Sequence, residues 1–328
     1  MLTACGGNGN NSQSANHAAT SGAAANAAPA ATAEATLEPS PSADAAASAA
    51  RMIEYLGEQY TVPANVERIV ITGAMEAMED ALVLDVHPVG AITFGGAFPE
   101  RFAAITDKAE SIGEKSEPNF ETILKLKPDL ILGTTKFKPE VVEQLKKIAP
   151  LIQVSHIASN WEANLNLMGE LTGKQDQAQA EIAKYKADLD SAKAQLGDKL
   201  KNQKVVALRI RAGQMFIYPA NVFVNPILYE GLGLNVPAEV EAAKAQEAIS
   251  VEQLAAMNPD VLFLQFATDE NAEAVTALED IQKNPIIQKV NAMKNAHTFV
   301  NVIDPLAEGG PAWSRMQFLK AAVEQLNK

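Results

Sequence analysis

From Ile53 onward, short runs of aliphatic and β-branched residues alternate with stretches of helical spacing. The runs at 68–72, 89–92, 130–133 and 151–154 read as buried strands, and those at 204–211, 215–218, 261–265 and 298–301 as a second set. Strands that alternate with helices predict α/β units built on largely parallel sheets. Between the two sets Ile182, Tyr185, Leu189, Ala192 and Leu196 recur by threes and fours, the seam of an amphipathic helix. Gly173 and Gly197 stand near its two ends. A helix over 174–199 runs about 39 Å at ~1.5 Å per residue, enough to cross a domain. The pattern divides the chain into an N-terminal lobe at 52–173, a connecting helix at 174–200 and a C-terminal lobe at 201–328. One stiff helix as the only connection predicts small closure movements rather than a wide hinge.

One internal repeat stands out. Residues 121–132 match 252–263, with Glu121 and Glu252, Pro128 and Pro259, and Asp129 and Asp260 at equal offsets and apolar residues at equivalent positions. Each copy predicts a short helix, a Pro-Asp turn and a buried strand. A repeat this far apart marks two similar lobes, because solenoid periods are shorter. Asn119 and Ser250 serve as N-caps, and Ser250 with Gln253 predicts a capping box. Both glutamates then take the second helical position, where the helix dipole favours a carboxylate by ~0.3–1 kcal/mol at exposed sites.

The first fifty residues follow neither pattern. Residues 6–51 consist mainly of Ala, Asn, Ser, Gly, Thr and Pro, with Leu37 the only large aliphatic side chain, and they predict a disordered tether. Glu34, Glu38 and Asp44 are its only charges before Arg51, so most of the net charge of −13 falls on the remainder. That balance argues against a nucleic-acid partner, which needs a basic face. No apolar run approaches the ~20 residues of a membrane span. The single cysteine, Cys5, allows no internal disulfide and no multi-cysteine metal site.

Against this acidic background, a few cations are placed where ligands collect. In open α/β sheets the site lies beyond the carboxyl ends of the strands. Lys136 and Lys138 follow the strand at 130–133, and Arg209 and Arg211 end the strand at 204–211. Strand alternation sets Arg209 and Arg211 on one face about 6–7 Å apart, with Leu208 and Ile210 turned to the core. Two adjacent guanidinium groups repel unless an anion lies between them, and each fork fits a pair of carboxylate or catecholate oxygens. The strand carries no acidic residue of its own to neutralise them. Gly309 and Gly310 permit close backbone approach ahead of Trp313 and Arg315. Trp161, Phe94, Phe98, Phe223 and above all Tyr218 are candidate aromatic walls.

The chain resembles the class III substrate-binding lipoproteins that serve ATP-driven importers of ferric siderophores and vitamin B12. The resemblance rests on Leu2-Thr3-Ala4-Cys5-Gly6, which is similar to a lipobox, on the tether, on the two α/β lobes with one connecting helix, and on the paired Glu segments. It covers residues 52–328 and is most specific at 119–132, 208–218 and 249–264. It implies two Rossmann-like lobes, acylation of Cys5 (residues 1–5 being a lipobox remnant), and a lipid-anchored receptor on the extracytoplasmic face of the cell membrane. The basic and apolar signal regions usual before such a lipobox are missing. It implies docking of Glu121 and Glu252 onto arginines of a FecCD-type ABC permease, which works with its ATPase. The implied ligand is an anionic ferric siderophore held by Arg209, Arg211, Lys136, Lys138, Tyr218, Trp313 and Arg315. The protein needs no cofactor, since iron travels inside the chelate. The wording from Arg209 to Gln214, then Asn221 to Pro226, is similar to Gram-positive receptors and favours a citrate-hydroxamate ligand, with a catecholate second and haem or cobalamin as further alternatives.

Other functions find less support. A receptor for bare Zn²⁺ or Mn²⁺ wants clustered ligands, whereas His17, His87, His156 and His297 are scattered. No G-x-G-x-x-G follows the first strand; Glu76, Glu79 and Asp80 stand near it instead, where they repel phosphate. A nucleophile elbow of the form G-x-S-x-G is absent. The expectation is capture without catalysis, with a passive surface adhesin as the remaining alternative.

Overall fold

The computed structural model describes residues 50–327; Cys5, His17 and the tether up to residue 49 lie outside them. The described chain opens with an antiparallel hairpin of β1 (Ala50–Tyr55) and β2 (Glu58–Pro63). The tether was expected to reach residue 51, but β1 already includes Arg51. Its guanidinium donates to the Glu170 carbonyl at 2.7 Å and pairs with the Glu170 carboxylate at 3.4 Å. Ile53, Tyr55 and Val62 are the buried positions of the hairpin. The Tyr55 hydroxyl accepts from the Ser155 amide at 2.8 Å, tying the hairpin to the body of the lobe.

The first sheet is assembled from β3 (Ile69–Thr72), α1 (Met75–Leu84), β4 (Gly90–Thr93), β5 (Glu110–Glu114), β6 (Glu117–Pro118), α2 (Phe120–Leu126), β7 (Leu130–Thr134), α3 (Pro139–Lys146) and β8 (Leu151–Val154). Its strand order is β6-β5-β4-β3-β7-β8, parallel except for β6. Two helices follow, α4 (Trp161–Thr172) and α5 (Gln175–Leu196). The second sheet draws on β9 (Val205–Arg211), β10 (Gln214–Ile217), α6 (Ala238–Ala242), β11 (Glu247–Ile249), α7 (Val251–Met257), β12 (Val261–Phe266), α8 (Ala277–Lys283), α9 (Asn291–Lys294) and β13 (Thr298–Val300), and α10 (Ala312–Leu326) closes the described chain. Its order is β11-β10-β9-β12-β13; β9, β12 and β13 run parallel, while β10 and β11 are antiparallel additions. The fold is α/β, with each sheet carrying its own set of helices.

The eight strands expected from the hydrophobic runs are present within a residue at either end. Beyond the hairpin, β5, β6 and β11 were not expected. β5 buries only Ile112, and β11 is a three-residue edge with no fully buried side chain, so neither carries a hydrophobic signal.

The internal repeat has a structural cause. The Asp129 carboxylate accepts the amides of Glu67 and Arg68 at 3.0 and 2.8 Å, and the Arg68 guanidinium donates to the Leu126 carbonyl at the end of α2. In the second copy Asp260 accepts the Lys204 amide at 2.9 Å, and the Lys204 ammonium donates to the Met257 carbonyl at the end of α7. Each aspartate thus starts a strand while the cation beside it satisfies orphan carbonyls of the preceding helix.

α10 belongs to the C-terminal half but packs on α1, α4 and α5. Glu79 of α1 is wholly buried, and its two oxygens accept the amides of Glu308 and Ser314, each at 3.0 Å. The start of α10 therefore rests on a carboxylate of the other lobe, which satisfies one of its orphan donors. Asp80 lies beside it; burial pushes its carboxyl well above the usual range, against the opposing pull of the Ala312 amide.

Candidate ligand-binding site

A cavity of about 70 Å³, partly open to solvent, lies among residues of both lobes. Glu76, Lys136, His156 and Ala158 line it from the first lobe, and Arg209, Arg211, Tyr218, Phe223, Gln246, Glu308 and Gly310 from the second. The strand ends deliver most of these groups: Lys136 follows β7, His156 follows β8, and Arg209 and Arg211 end β9.

The two arginines share one face, as alternation requires, but they already share one carboxylate partner. Glu270, in a short 3₁₀ turn after β12, accepts from Arg209 Nε and Nη2 at 2.9 and 3.0 Å. Its Oε1 also accepts from Arg211 Nη2 at 2.7 Å. The absence of an acidic partner on the strand itself misled, because the partner comes from a segment 59 and 61 residues away. Arg209 is 3% exposed and also points towards the Ala307 carbonyl. Burial works against its charge, but Glu308 and Glu270 together hold its pKa above the usual value. Arg211 keeps about a third of its side chain exposed (35%) and donates to Gln246 at 3.0 Å. The Tyr218 hydroxyl donates to the same Gln246 oxygen at 3.0 Å, and its ring lies 5.1 Å from that of Phe223. Arg211, Gln246, Tyr218 and Phe223 make a polar and aromatic wall.

Facing them, Lys136 is exposed in the turn after β7. His156 accepts from or donates to Thr135 Oγ1 at 2.8 Å; burial, helped by the charge of Lys136, lowers its pKa. Two carboxylates complete the lining. Glu76 at the start of α1 is 5% exposed, and its pKa is pushed up to about 7 by burial and by the negative charge of Glu308, with Lys136 and Lys115 pulling the other way. Glu308 pairs with Lys115 of the β5–β6 turn. Burial works to raise its pKa, yet Lys115, Arg209 and Lys136 hold it far below the usual range.

The remaining expected site residues fall elsewhere. Lys138 caps the start of α3, is exposed and does not line the cavity. Trp313 borders a different surface groove with Asp304, Gln317 and Lys320. Arg315 is 4% exposed and donates to the Gly310 and Ala158 carbonyls at 3.0 and 2.7 Å. Its guanidinium carbon sits 5.0 Å from the Trp161 ring centroid, so this cation fastens the lobes rather than facing a ligand. Trp161 is core, and Phe94 and Phe98 are partly buried away from the cavity. Of the two glycines, Gly310 serves the same fastening and Gly309 packs within its own lobe. A Cβ on Gly310 would lie 2.6 Å from Ala158 Cβ, and Gly309 adopts φ +78° with its Cβ direction blocked by Val224 at 2.6 Å. Glu121 and Glu252 are exposed in the first turns of α2 and α7, behind N-caps Asn119 and Ser250, the latter with the expected capping box.

Glu76, Lys115, Gln246, Glu270 and Glu308 were not anticipated as site residues. Each sits in a loop or at a helix start with no local pattern to mark it; only the Gly309-Gly310 pair pointed near Glu308. Among the described residues no group of three or more His, Cys, Asp or Glu is placed to hold a metal ion. The arrangement can grip an anion through hydrogen bonds and charge, with an aromatic side for its organic part.

Residues 98–301 match the family model described as "Periplasmic binding protein". The iron-uptake system-binding protein of Bacillus subtilis is 50% identical over 286 residues, covering 87% of this chain and 90% of that protein. A probable siderophore-binding lipoprotein of the same organism, YfiY, is 30% identical over 283 residues, covering 82% of this chain and 86% of its own. Among solved structures, the triscatecholate siderophore binding protein FeuA from Bacillus subtilis, complexed with ferri-bacillibactin, superposes with a TM-score of 0.82 at 51% identity, covering 84% of this chain and 98% of that one. This chain belongs to the periplasmic binding protein family and is a substrate-binding protein, not an enzyme.

Proposed function

We propose that the protein is the receptor that captures an anionic ferric siderophore of the catecholate type and presents it for iron uptake. The observation that carries this reading is the convergence of Lys136 from one lobe with Arg209 and Arg211 from the other at one cavity with an aromatic side. Three catecholate dianions around a ferric ion leave three negative charges and flat aromatic edges, which suit guanidinium forks, ammonium groups and the Tyr218 ring. The citrate-hydroxamate preference drawn from the sequence gives way to its catecholate alternative. The FeuA structure, which shares half its residues with this chain, holds a catecholate chelate, and its close likeness supports transfer of that class.

The protein works outside the cytoplasm in this reading, anchored through an acylated Cys5, and hands its ligand to an ABC permease. The relatives' descriptions as an iron-uptake binding protein and a siderophore-binding lipoprotein support that setting. Among the described residues no helix is long and apolar enough to cross a membrane. Glu121 and Glu252, exposed at matching helix starts, are the proposed docking points.

The test is a tryptophan-fluorescence titration with ferri-bacillibactin, a ferric hydroxamate and ferric citrate. Submicromolar quenching by the catecholate with weaker responses to the others is expected. Tight binding of a hydroxamate or citrate chelate with no response to the catecholate overturns the ligand class.

A further inference from the structure

The site holds more fixed negative charge than a receptor for anions needs, and one carboxylate is placed unlike the rest. Glu270 pairs with both arginines and does not line the cavity. Glu308, by contrast, lines the cavity itself, together with Lys136 of the first lobe and Arg209 of the second. Its carboxylate pairs with Lys115 of the first lobe, while its own backbone belongs to the loop before α10 in the second. The Glu308 amide is fixed by Glu79 Oε1 at 3.0 Å, so the residue is held in place from both ends.

We propose that Glu308 is a built-in competing anion, one that sits beside Lys115, Lys136 and Arg209 when no ligand is bound and must be displaced by a chelate of higher negative charge. This rests on the anionic-siderophore reading and refines it. A neutral chelate cannot compete for ammonium and guanidinium groups that already have a carboxylate, because the exchange replaces a charge-assisted bond with a weaker one. A trianionic chelate can, since it offers several anionic oxygens to cations of both lobes at once. The charge of Glu308 supports this role, because Lys115, Arg209 and Lys136 outweigh its burial and hold its pKa far below the usual range. The Lys115–Glu308 pair also joins the two lobes at the edge of the site, so its exchange for a ligand couples binding to lobe position.

The test compares wild type, Glu308→Gln and Lys115→Met in calorimetric titrations with ferri-bacillibactin and with a neutral ferric trihydroxamate, thermal melts checking that each variant folds. Glu308→Gln is expected to bind the trianion at least tenfold more tightly and to leave the neutral chelate within about twofold, so that the gap between the two widens. Lys115→Met is expected to weaken the trianion tenfold or more. Weaker or unchanged binding of ferri-bacillibactin by folded Glu308→Gln overturns the proposal and makes Glu308 a ligand contact or a simple lobe tie. The same comparison with iron-free citrate needs no siderophore: Glu308→Gln should gain affinity for this small polyanion over wild type, and no gain counts against the proposal. A chain that ignores every chelate yet shows the citrate gain refutes the siderophore reading while keeping the role of Glu308.

Discussion

Glu270 holds Arg209 with both carboxylate oxygens, at 2.9 and 3.0 Å, in a place where Arg209 is 3% exposed. This bidentate pair makes Arg209 part of the framework of the site and sets Arg211, tied to the same carboxylate at 2.7 Å, at the solvent edge. The two arginines of one strand therefore divide their work.

Arg209→Ala leaves Glu270 without its bidentate partner in a mostly buried setting. Breaking such a pair from one side costs about 3–5 kcal/mol. Urea denaturation should show a loss of this order, and a loss below about 1 kcal/mol would mean that Arg211 alone satisfies Glu270.

Arg211→Gln removes a partly exposed cation while Gln246 and Tyr218 keep each other. Affinity for ferri-bacillibactin should fall at least tenfold, about 1.4 kcal/mol, with the melting temperature nearly unchanged. Equal affinity would exclude Arg211 from the ligand contact.

Glu76 makes stability depend on pH. Its folded pKa of about 7 lies above the ordinary carboxylate value of 4.5, because burial and Glu308 disfavour its charge. The folded state therefore binds more protons than the unfolded one between those values, and stability falls as pH rises through that window. Glu76→Gln should flatten this slope, raising stability by about 1–3 kcal/mol at pH 8 and by little at pH 4. Parallel pH profiles for variant and wild type would refute the assignment.

Gly310→Ala places a methyl group against Ala158 across the lobe contact. Overpacking of this kind costs about 1–3 kcal/mol. The lobes should also shift apart, read as a larger radius of gyration in solution scattering, and a variant that melts and scatters like wild type would show that the contact yields freely.

Glu121→Ala combined with Glu252→Ala should leave chelate binding and thermal stability close to wild type, since both side chains are exposed. Iron uptake by cells that depend on this receptor should be lost. Full uptake would reduce both residues to favourable helix starts.

Much of the scaffold is legible in residue order. The runs at 69–72, 130–134, 205–211 and 261–266 are nearly all apolar because parallel strands are covered on both faces. The helix seam from Ile182 to Leu196 falls within α5 for the same reason, a local period with one buried stripe. The Glu-Pro-Asp repeat is legible too, since Asp129 and Asp260 act on amides at the starts of strands and recur at fixed offsets. The site is less legible. Arg209 and Arg211 could be placed on one face of β9, but nothing near them in sequence announces Glu270. Arg315, which looked like a cleft cation beside two glycines, is consumed by backbone carbonyls and the Trp161 ring.

The sequence by itself determined the α/β class, the order of the eight buried strands and the matching starts of α2 and α7, because periodic burial and capping act over a few residues. Only the tertiary structure decided which charges are free to meet a ligand. Lys115 and Glu308, or Arg209 and Glu270, are far apart in the chain, and desolvation and pairing are settled when the two sheets and α10 bring them together. The excess negative charge therefore reads as two different things: solvated surface over most of the molecule, and, at Glu270 and Glu308, counter-charges set against the cations of the site.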